Sequence, residues 1–332
     1  MTETLLDLRN LHITLPTEQG DLHAVRGVDL KIEPAQTLCL VGESGCGKSL
    51  TASALMGLTP RYARTRAGSY NVCGNDITDV DSPALKRLRG DAMAMIFQDP
   101  TAALNPTLTI GQQLTEAVML REKLSHAEAD TRAINLLERV GIARAETRLA
   151  RYPHEFSGGQ RQRVMIAQAL MSQPRLLIAD EPTTALDVTI QAQILVLLKE
   201  LQDELGLGIL LITHDLGVVA AVADEVSVMY AGRIVEHADC DALFDLPFHP
   251  YTQGLMRAIP VPGVTPRGSH LPAIPGRVPS LIGEMPGCAF RERCSSAGAD
   301  CERGSVPLHR VQSIGKSERS FECHRVEGGP LA

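Results

Sequence analysis

Short apolar runs alternate with helical patterns along the chain up to about residue 250. Four runs of strand length are almost wholly apolar: residues 37–41, 93–97, 176–179 and 209–213. Continuous apolar strands separated by helices are typical of a sheet covered on both faces, so the pattern predicts an α/β fold. Residues 227–230 and 233–237 flank an Ala-Gly pair, which predicts a β-hairpin near the end of this region.

Two stretches depart from this alternation. Residues 102–172 carry polar and charged side chains at helical spacing, which predicts a helical insertion in the α/β domain. Beyond residue 248 prolines are frequent and periodicity is poor, which predicts a small, irregular C-terminal domain with little core. We therefore expect one domain over residues 1–248 and a Pro- and Cys-rich extension over 249–332.

Composition excludes several classes of protein. The 44% hydrophobic and 21% charged residues are globular values, which excludes a disordered or fibrous chain. We expect no membrane-spanning helix, since no apolar run approaches the roughly 20 residues required. The first ten residues lack the apolar core of a secretory signal, so we expect a reducing compartment. The net charge of −7 and the 3% aromatic content argue against a dedicated nucleic-acid-binding protein.

Residues 42–49 read Gly-Glu-Ser-Gly-Cys-Gly-Lys-Ser, between a predicted strand and a helical stretch. This is the pattern and the context of a phosphate-binding loop, in which glycines let backbone N–H groups face the phosphates. We expect Lys48 to reach the β- and γ-phosphates and the Ser49 hydroxyl to bind Mg²⁺. The predicted ATP and Mg²⁺ contacts of this loop are Gly42, Ser44, Gly45, Cys46, Gly47, Lys48, Ser49 and Leu50.

Two later motifs carry complementary chemistry. The apolar run 176–179 ends in Asp180 and Glu181, which suits an Asp that holds Mg²⁺ and a Glu that activates the attacking water. Ser157-Gly158-Gly159-Gln160 opens a predicted helix, and the unpaired N–H groups of a helix start suit an anion. The chain therefore carries two helix starts suited to phosphate.

The order and spacing of these motifs resemble the ATP-binding-cassette (ABC) ATPase family over residues 5–245. The resemblance implies an ABC-type α/β ATPase domain with an antiparallel β subdomain and a helical insertion. Three further residues fit that pattern: Gln98 after a strand, Asp187 after Ala-Leu, and His214 after Leu-Ile-Thr. The resemblance implies that two such domains enclose two ATP molecules, with residues 157–160 of one facing the phosphate loop of the other.

The same resemblance implies a role for each added residue. Gln98 would sense the γ-phosphate and Mg²⁺ and link to a membrane partner, and His214 would hold the γ-phosphate or the attacking water. Asp187 would couple the two ATP sites, and it could also cap the following helix. Glu181, His214 and Gln98 are thus the predicted catalytic residues, with Gln98 and Asp180 also at the nucleotide and Mg²⁺.

Four of the eight cysteines fall near the C-terminus: Cys288, Cys294, Cys301 and Cys323. Their spacing lacks the C-x2-C pair common in zinc ribbons, and four thiolates suit either a [4Fe–4S] cluster or Zn²⁺. In a Pro-rich segment with little core, we expect the metal to supply stability of the fold.

This segment also resembles the C-terminal extension of peptide-importer ATPases, at residues 249–252, 275–280, 287–294 and 323–324. The resemblance implies an ATPase subunit of an importer of di- or oligopeptides, with nickel or another small solute as the alternative cargo. It implies a second ABC ATPase (a paralogue or a second copy), two transmembrane permease subunits and an extracytoplasmic substrate-binding protein. It also implies a peripheral location on the cytoplasmic face of the membrane, and it favours a [4Fe–4S] cluster over zinc.

Two residues depart from the family pattern or stand out within it. Family members place an aromatic ring upstream of the phosphate loop to stack on adenine, and Leu15 is expected at that position here. Unless His12 or His23 supplies a ring instead, we predict weaker selectivity for adenine than in relatives. Cys46 is either a tolerated small residue or a reactive thiol beside a helix start.

Other functions fit less well. Soluble ABC ATPases of DNA repair carry long coiled coils, for which the interval from Lys48 to Ser157 is too short. Translation-factor ABC proteins carry two cassettes in one chain and many exporters a fused membrane domain, and this sequence has one cassette and no such domain. A redox or metal sensor would use the cysteines, but the sequence offers no pair of thiols with lowered pKa.

Overall fold

The computed structural model describes residues 4–80, 82–184, 186–259, 273–312 and 318–325. Its strands are β1 (Leu6–Thr17), β2 (Gly20–Ile32), β3 (Thr37–Val41), β4 (Arg64–Arg66), β5 (Ser69–Val72), β6 (Asn75–Asp76), β7 (Met93–Ile96), β8 (Leu176–Asp180), β9 (Gly208–Thr213), β10 (Glu225–Tyr230), β11 (Arg233–Asp239), β12 (Leu308–Gln312) and β13 (Glu318–Glu322). Its helices are α1 (Lys48–Leu55), α2 (Pro83–Leu88), α3 (Pro100–Ala103), α4 (Ile110–Glu122), α5 (His126–Arg139), α6 (Ala145–Arg148), α7 (Gly158–Leu170), α8 (Val188–Leu205), α9 (Leu216–Val222), α10 (Cys240–Asp245) and α11 (Pro250–Arg257).

The chain forms two compact units, each built from separate stretches of sequence. Unit 1 comprises Met1–Leu6, Ile32–Gln36 and Asn71–Ile212. Unit 2 comprises Asp7–Lys31, Thr37–Tyr70 and Thr213–Ala332. The division predicted at residue 248 stays a prediction.

Parallel strands form the core of unit 1. Strand β8 pairs with β7 on one side, at Ala179 opposite Ile96, and with β9 on the other, at Asp180 opposite Ile212. Every residue of β8 and β9 is buried, which explains why these strands are continuously apolar rather than alternating. The α/β prediction is therefore confirmed here.

The interval 102–172 of unit 1 is helical, as predicted. Helix α5 buries Ala129, Ala133, Leu136 and Leu137, which is the spacing of one helix face. Helices α4, α5 and α7 are preceded by the N-cap residues Thr109, Ser125 and Ser157. Each of these residues forms a reciprocal capping box with the residue three positions later. Short polar caps thus delimit the helices that the sequence pattern indicated.

In unit 2, β10 pairs in parallel with β3 and in antiparallel with β11. The predicted hairpin is therefore confirmed, with Ser227 opposite His237. Strand β1 pairs in antiparallel with β4, which agrees with the antiparallel β subdomain expected from the ABC resemblance. Leu15 lies half-buried on β1.

The expectation of an irregular segment beyond residue 248 is wrong at two places. Helix α11 begins there, capped by the imidazole of His249. Strand β13 pairs with β11, with Phe321 opposite Glu236, and β12 pairs with β13. Arg319 and Phe321 are the buried residues of β13, so an arginine at an inward position concealed the alternation of this strand.

One carboxylate of β11 holds these C-terminal elements together. Glu236 is fully buried at 0% exposure. Its oxygens accept hydrogen bonds from the backbone N–H groups of Phe248 (2.8 Å) and His249 (2.9 Å) and from Arg319 Nη2 (2.9 Å). A buried carboxylate with a cationic partner and two amide donors is well compensated for its loss of water.

Within the described parts of the chain, no helix is both long enough and apolar enough to cross a membrane.

Candidate active site

The phosphate loop of unit 2 joins the buried strand β3 to helix α1. Gly42 and Gly47 have positive φ angles of 156° and 111°. A Cβ at Gly42 would lie 2.1 Å from the carbonyl oxygen of Met229, and one at Gly47 would lie 2.6 Å from that of Ala24. The loop therefore packs directly against backbone at both ends, and only glycine fits these two positions.

Lys48 lies inside this loop. Its side chain is buried (5% exposed), and Nζ donates to the carbonyl oxygens of Gly42 (2.7 Å) and Glu43 (3.0 Å). Helix α1 begins at the same residue without a side-chain cap. An ammonium group beside the uncapped N–H groups of a helix start is a site suited to phosphate.

The reactive-thiol alternative for Cys46 gains no support from the structure. The side chain is fully buried, and burial raises the pKa of the thiol although Lys48 acts in the opposite direction. Its Sγ atom would lie 2.9 Å from a Cβ at Gly42, so the residue fills space behind the loop. Cys46 therefore fits the description of a tolerated small residue.

Glu181 and Gln98, two of the predicted catalytic residues, meet in unit 1. Glu181 Oε2 accepts hydrogen bonds from Gln98 Nε2 (3.0 Å) and from Thr184 Oγ1 (2.8 Å). The backbone of Glu181 has a φ of +47°, and its N–H donates to the carbonyl oxygen of Ile212 at 2.9 Å. A left-handed conformation at a non-glycine residue is unfavourable and is concentrated at functional sites. Sequence reasoning missed Thr184, which carries no motif of its own.

The predicted signature, residues 157–160, forms the start of α7. Ser157 Oγ accepts from the N–H of Gln160 at 3.4 Å, and Gln160 Oε1 accepts from the N–H of Ser157 at 3.1 Å. Ser157 and Gly158 are exposed, and a Cβ at Gly158 would meet nothing within 4 Å. A Cβ at Gly159 would lie 2.9 Å from Cγ2 of Ile190, so this glycine allows α7 and α8 to pack closely. The helix start is thus open at its first two residues.

The remaining predicted residues end strands or begin helices. Asp180 is the buried last residue of β8, and Asp187 caps α8 by accepting from the N–H of Ile190 at 3.0 Å. His214 is exposed and precedes Asp215, which caps α9. Unit 2 therefore carries residues 42–50 and His214, and unit 1 carries Gln98, Ser157–Gln160, Asp180, Glu181 and Asp187.

Sequence reasoning missed a contact between the C-terminal segment and the phosphate loop, all of it within unit 2. Glu43 follows the first glycine of the loop, and its carboxylate binds Arg293 through two hydrogen bonds of 2.6 and 2.9 Å. The Glu43 N–H donates to the hydroxyl of Tyr251 at 2.9 Å. Arg293 and Tyr251 both lie in stretches that resemble the peptide-importer extension, but nothing in the sequence predicted that they contact Glu43.

The four C-terminal cysteines do not form a recognisable metal centre. Burial raises the pKa of Cys288, Cys294 and Cys323, and the neighbouring cysteines contribute in the same direction. No disulfide joins any of the four. Among the residues that the structure describes, no group of three or more His, Cys, Asp or Glu side chains could hold a metal ion. The expected metal-binding, Cys-rich domain is therefore not supported.

Comparisons with known proteins agree with this geometry. The family profile of ABC transporters matches residues 25–184, and the profile described as the oligopeptide/dipeptide transporter C-terminal region matches residues 235–301. The dipeptide transport ATP-binding protein DppD of Bacillus subtilis is 47% identical over 322 residues, which cover 97% of this chain and 94% of DppD. The chain belongs to the ABC transporter family. It is an ABC-type ATPase.

Solved structures of ABC proteins have the same fold. The ATP-binding cassette MJ0796, in a dimeric post-hydrolysis state bound to ADP and Pi, is 27% identical with a TM-score of 0.63, covering 71% of this chain and 98% of MJ0796. CbiO1 of Clostridium perfringens, part of the ABC transporter complex CbiONQ, is 30% identical with a TM-score of 0.63, covering 73% and 91% respectively. The ABC-type α/β fold expected from the sequence is thereby confirmed.

Proposed function

We propose that this ABC ATPase powers an importer of di- or oligopeptides at the cytoplasmic face of a membrane. One observation carries the proposal: a complete phosphate loop and a region matching the oligopeptide/dipeptide transporter C-terminal profile lie on the same chain. The peptide cargo follows the name of the B. subtilis relative, which matches nearly the full length of the chain. The partners would be two permease subunits, an extracytoplasmic substrate-binding protein and a second ABC ATPase.

The reaction would be hydrolysis of the bond between the β- and γ-phosphates of ATP. Glu181 would act as the general base that takes a proton from water as the water oxygen attacks the γ-phosphorus, and ADP and phosphate would leave. The hydrogen bond from Gln98 orients the Glu181 carboxylate before the reaction. His214 would hold the γ-phosphate or the attacking water, and Lys48 would bind the β- and γ-phosphates.

Mg²⁺ would be held by Ser49 and Asp180 together with the nucleotide. A hydroxyl and a carboxylate are oxygen donors, which is the ligand type that Mg²⁺ prefers. When bound, the ion would neutralise charge on the phosphates.

The open helix start at Ser157 and Gly158 supports a dimeric site. Because these residues are exposed and unobstructed, they can reach an ATP molecule held by a second subunit. Asp187 would couple the two sites while it caps α8. The second subunit could be a paralogue or another copy of this chain, since the motifs here are complete.

A [4Fe–4S] cluster at the four C-terminal cysteines, with zinc as the alternative, stays a proposal that rests on the donor set. The raised pKa of three of these thiols means that thiolates are disfavoured there unless a cation compensates them. Iron, zinc and acid-labile sulfide should be measured in chain purified without oxygen, beside a Cys294→Ser variant. Iron with an equal amount of sulfide supports the cluster, and zinc alone supports a zinc site. If neither metal is found and Cys294→Ser melts at the same temperature as wild type, both metal sites are contradicted.

Purification of the tagged chain from its native membranes in mild detergent tests the importer proposal. Mass spectrometry should identify two polytopic membrane proteins, and the attached binding protein should bind di- or oligopeptides. A complex whose binding protein binds nickel or another small solute would show that this solute, rather than a peptide, is the cargo. Recovery with ribosomes, DNA or redox partners and no membrane protein would contradict an importer and leave a non-transport ABC ATPase.

A further inference from the structure

We propose that the C-terminal segment positions the phosphate loop through Tyr251 and Arg293, and that Arg293 sets nucleotide affinity by neutralising Glu43. The inference rests on the proposed binding of ATP at Gly42 and residues 44–50, and it adds two positioning residues from outside the ABC motifs.

All three polar groups of Glu43 are engaged within unit 2. Its N–H donates to the Tyr251 hydroxyl at 2.9 Å, and its carbonyl oxygen accepts from Lys48 Nζ at 3.0 Å. Its carboxylate forms the two-bond contact with Arg293. The residue next to Gly42 is therefore fixed from the C-terminal segment on one side and from the phosphate-binding lysine on the other.

The two partners of Glu43 are themselves rigidly held. Arg293 is 4% exposed at its side chain, and its Nε donates to the carbonyl oxygen of Pro275 at 2.9 Å. Its guanidinium lies 5.7 Å from the ring centroid of Tyr230 and 5.9 Å from that of Phe290. A side chain fixed in this way can hold the phosphate loop in place, because it does not move with the loop.

Tyr251 is anchored in the same aromatic cluster. Its side chain is fully buried, and its ring centroid lies 4.5 Å from that of Tyr230 and 5.4 Å from that of Phe290. Burial raises the pKa of Tyr251, so the group that faces Glu43 is a neutral hydroxyl whose oxygen accepts the hydrogen bond from the Glu43 N–H. The N–H of Glu43 is thereby bound to Tyr251 rather than available to a ligand. We expect this contact to set the direction of the loop backbone at Glu43.

The charge of Arg293 is expected to affect the affinity for nucleotide. The Glu43 side chain is 31% exposed, and an unpaired negative charge in the phosphate loop would repel a triphosphate. Paired with Arg293, this carboxylate contributes little net charge. Removing the arginine should therefore weaken nucleotide binding, while removing the glutamate should leave binding unchanged or tighten it.

Calorimetric titration of the full-length chain with a non-hydrolysable ATP analogue tests this asymmetry. Arg293→Met should raise the Kd about tenfold, equivalent to about 1.4 kcal/mol. Glu43→Gln should bind as tightly as wild type or more tightly, and the double variant should return to within about threefold of wild type. Tyr251→Phe should weaken binding severalfold in both the wild-type and the Glu43→Gln background, because its effect is geometric.

Arg233→Met is the matched control. Arg233 makes a similar two-bond contact with Glu322, at 2.8 Å from Nε, and its Nη1 donates to the carbonyl oxygen of Arg26 at 3.3 Å rather than to the phosphate loop. Because the Arg233 side chain is 40% exposed and that of Arg293 only 4%, this variant should lose less stability than Arg293→Met, and it should keep the wild-type Kd. If Arg293→Met does not fold, Arg293→Lys and Glu43→Gln still test the charge argument.

The outcomes separate this inference from the proposed function. If wild type binds the analogue and Arg293→Met and Glu43→Gln weaken binding equally, the contact is merely structural and the inference is overturned. A double variant as weak as Arg293→Met would also overturn it. If wild type itself binds no nucleotide, the proposed ATP site fails first.

Discussion

Replacement of Glu236 by alanine should destabilise unit 2 strongly. The change leaves the guanidinium of Arg319 buried without its carboxylate, and leaves the N–H groups of Phe248 and His249 without their acceptors. Breaking a buried ion pair by removing one partner costs about 3–5 kcal/mol. Each buried donor left unsatisfied adds about 1–3 kcal/mol.

Part of that loss should be recovered locally. Arg319 also donates to the carbonyl oxygens of Ala242 (3.2 Å) and Leu246, and these bonds survive the substitution. The cavity left by the carboxylate can admit water to the two amides. We therefore expect a net loss of about 4 kcal/mol in the free energy of unfolding for Glu236→Ala.

Urea denaturation followed by circular dichroism is the suitable assay, because the chain contains no tryptophan to report by fluorescence. A double variant, Glu236→Leu with Arg319→Met, removes both charges and should lose clearly less stability than the single change. A loss under about 1 kcal/mol for Glu236→Ala would refute the reasoning, because Glu236 would then not anchor the C-terminal elements. So would a double variant no more stable than the single one.

Three further predictions concern buried or substituted groups. Burial lowers the pKa of His249 to about 3, below the value of about 6.5 in an unfolded chain. The difference in free energy of unfolding between wild type and His249→Asn should therefore be constant above about pH 6.5. Below that pH, protonation of the imidazole in the unfolded chain should lower the stability of wild type relative to the variant by about 1.4 kcal/mol per pH unit. A difference that does not depend on pH would contradict this. Cys46 should react slowly with maleimide at neutral pH with or without ATP, since burial raises its pKa, and fast labelling that ATP blocks would contradict it. With Leu15 in place of an aromatic ring, ATP and GTP should be hydrolysed at comparable rates, and strict preference for ATP would refute the expectation.

The sequence predicted the elements whose chemistry is local. Strand β8 is apolar up to its terminal Asp180 because both faces are buried, and glycine is required at positions 42 and 47 by close backbone approach. Both features are visible in the sequence, as an apolar run and as glycines at fixed positions. The hairpin β10–β11 and the capped helices of residues 102–172 were predictable for the same reason.

The sequence did not predict features that depend on distant partners. Strand β13 buries Arg319, which reads as a surface residue until Glu236 is known to face it. Glu43 reads as a variable position of the phosphate loop, because Tyr251 and Arg293 are separated from it by more than half of the chain. Thr184 gained meaning only through its hydrogen bond to Glu181.

The most direct test of the central claim compares ATP binding with ATP hydrolysis in a Glu181→Gln variant. Both are measured on the complex purified from native membranes, with the exposed Glu200→Gln on α8 as the control substitution. We predict that the Glu181 variant binds ATP as wild type does and loses hydrolysis by a factor of about 10²–10⁴, since the general base is gone. Hydrolysis at the wild-type rate in that variant would contradict the account.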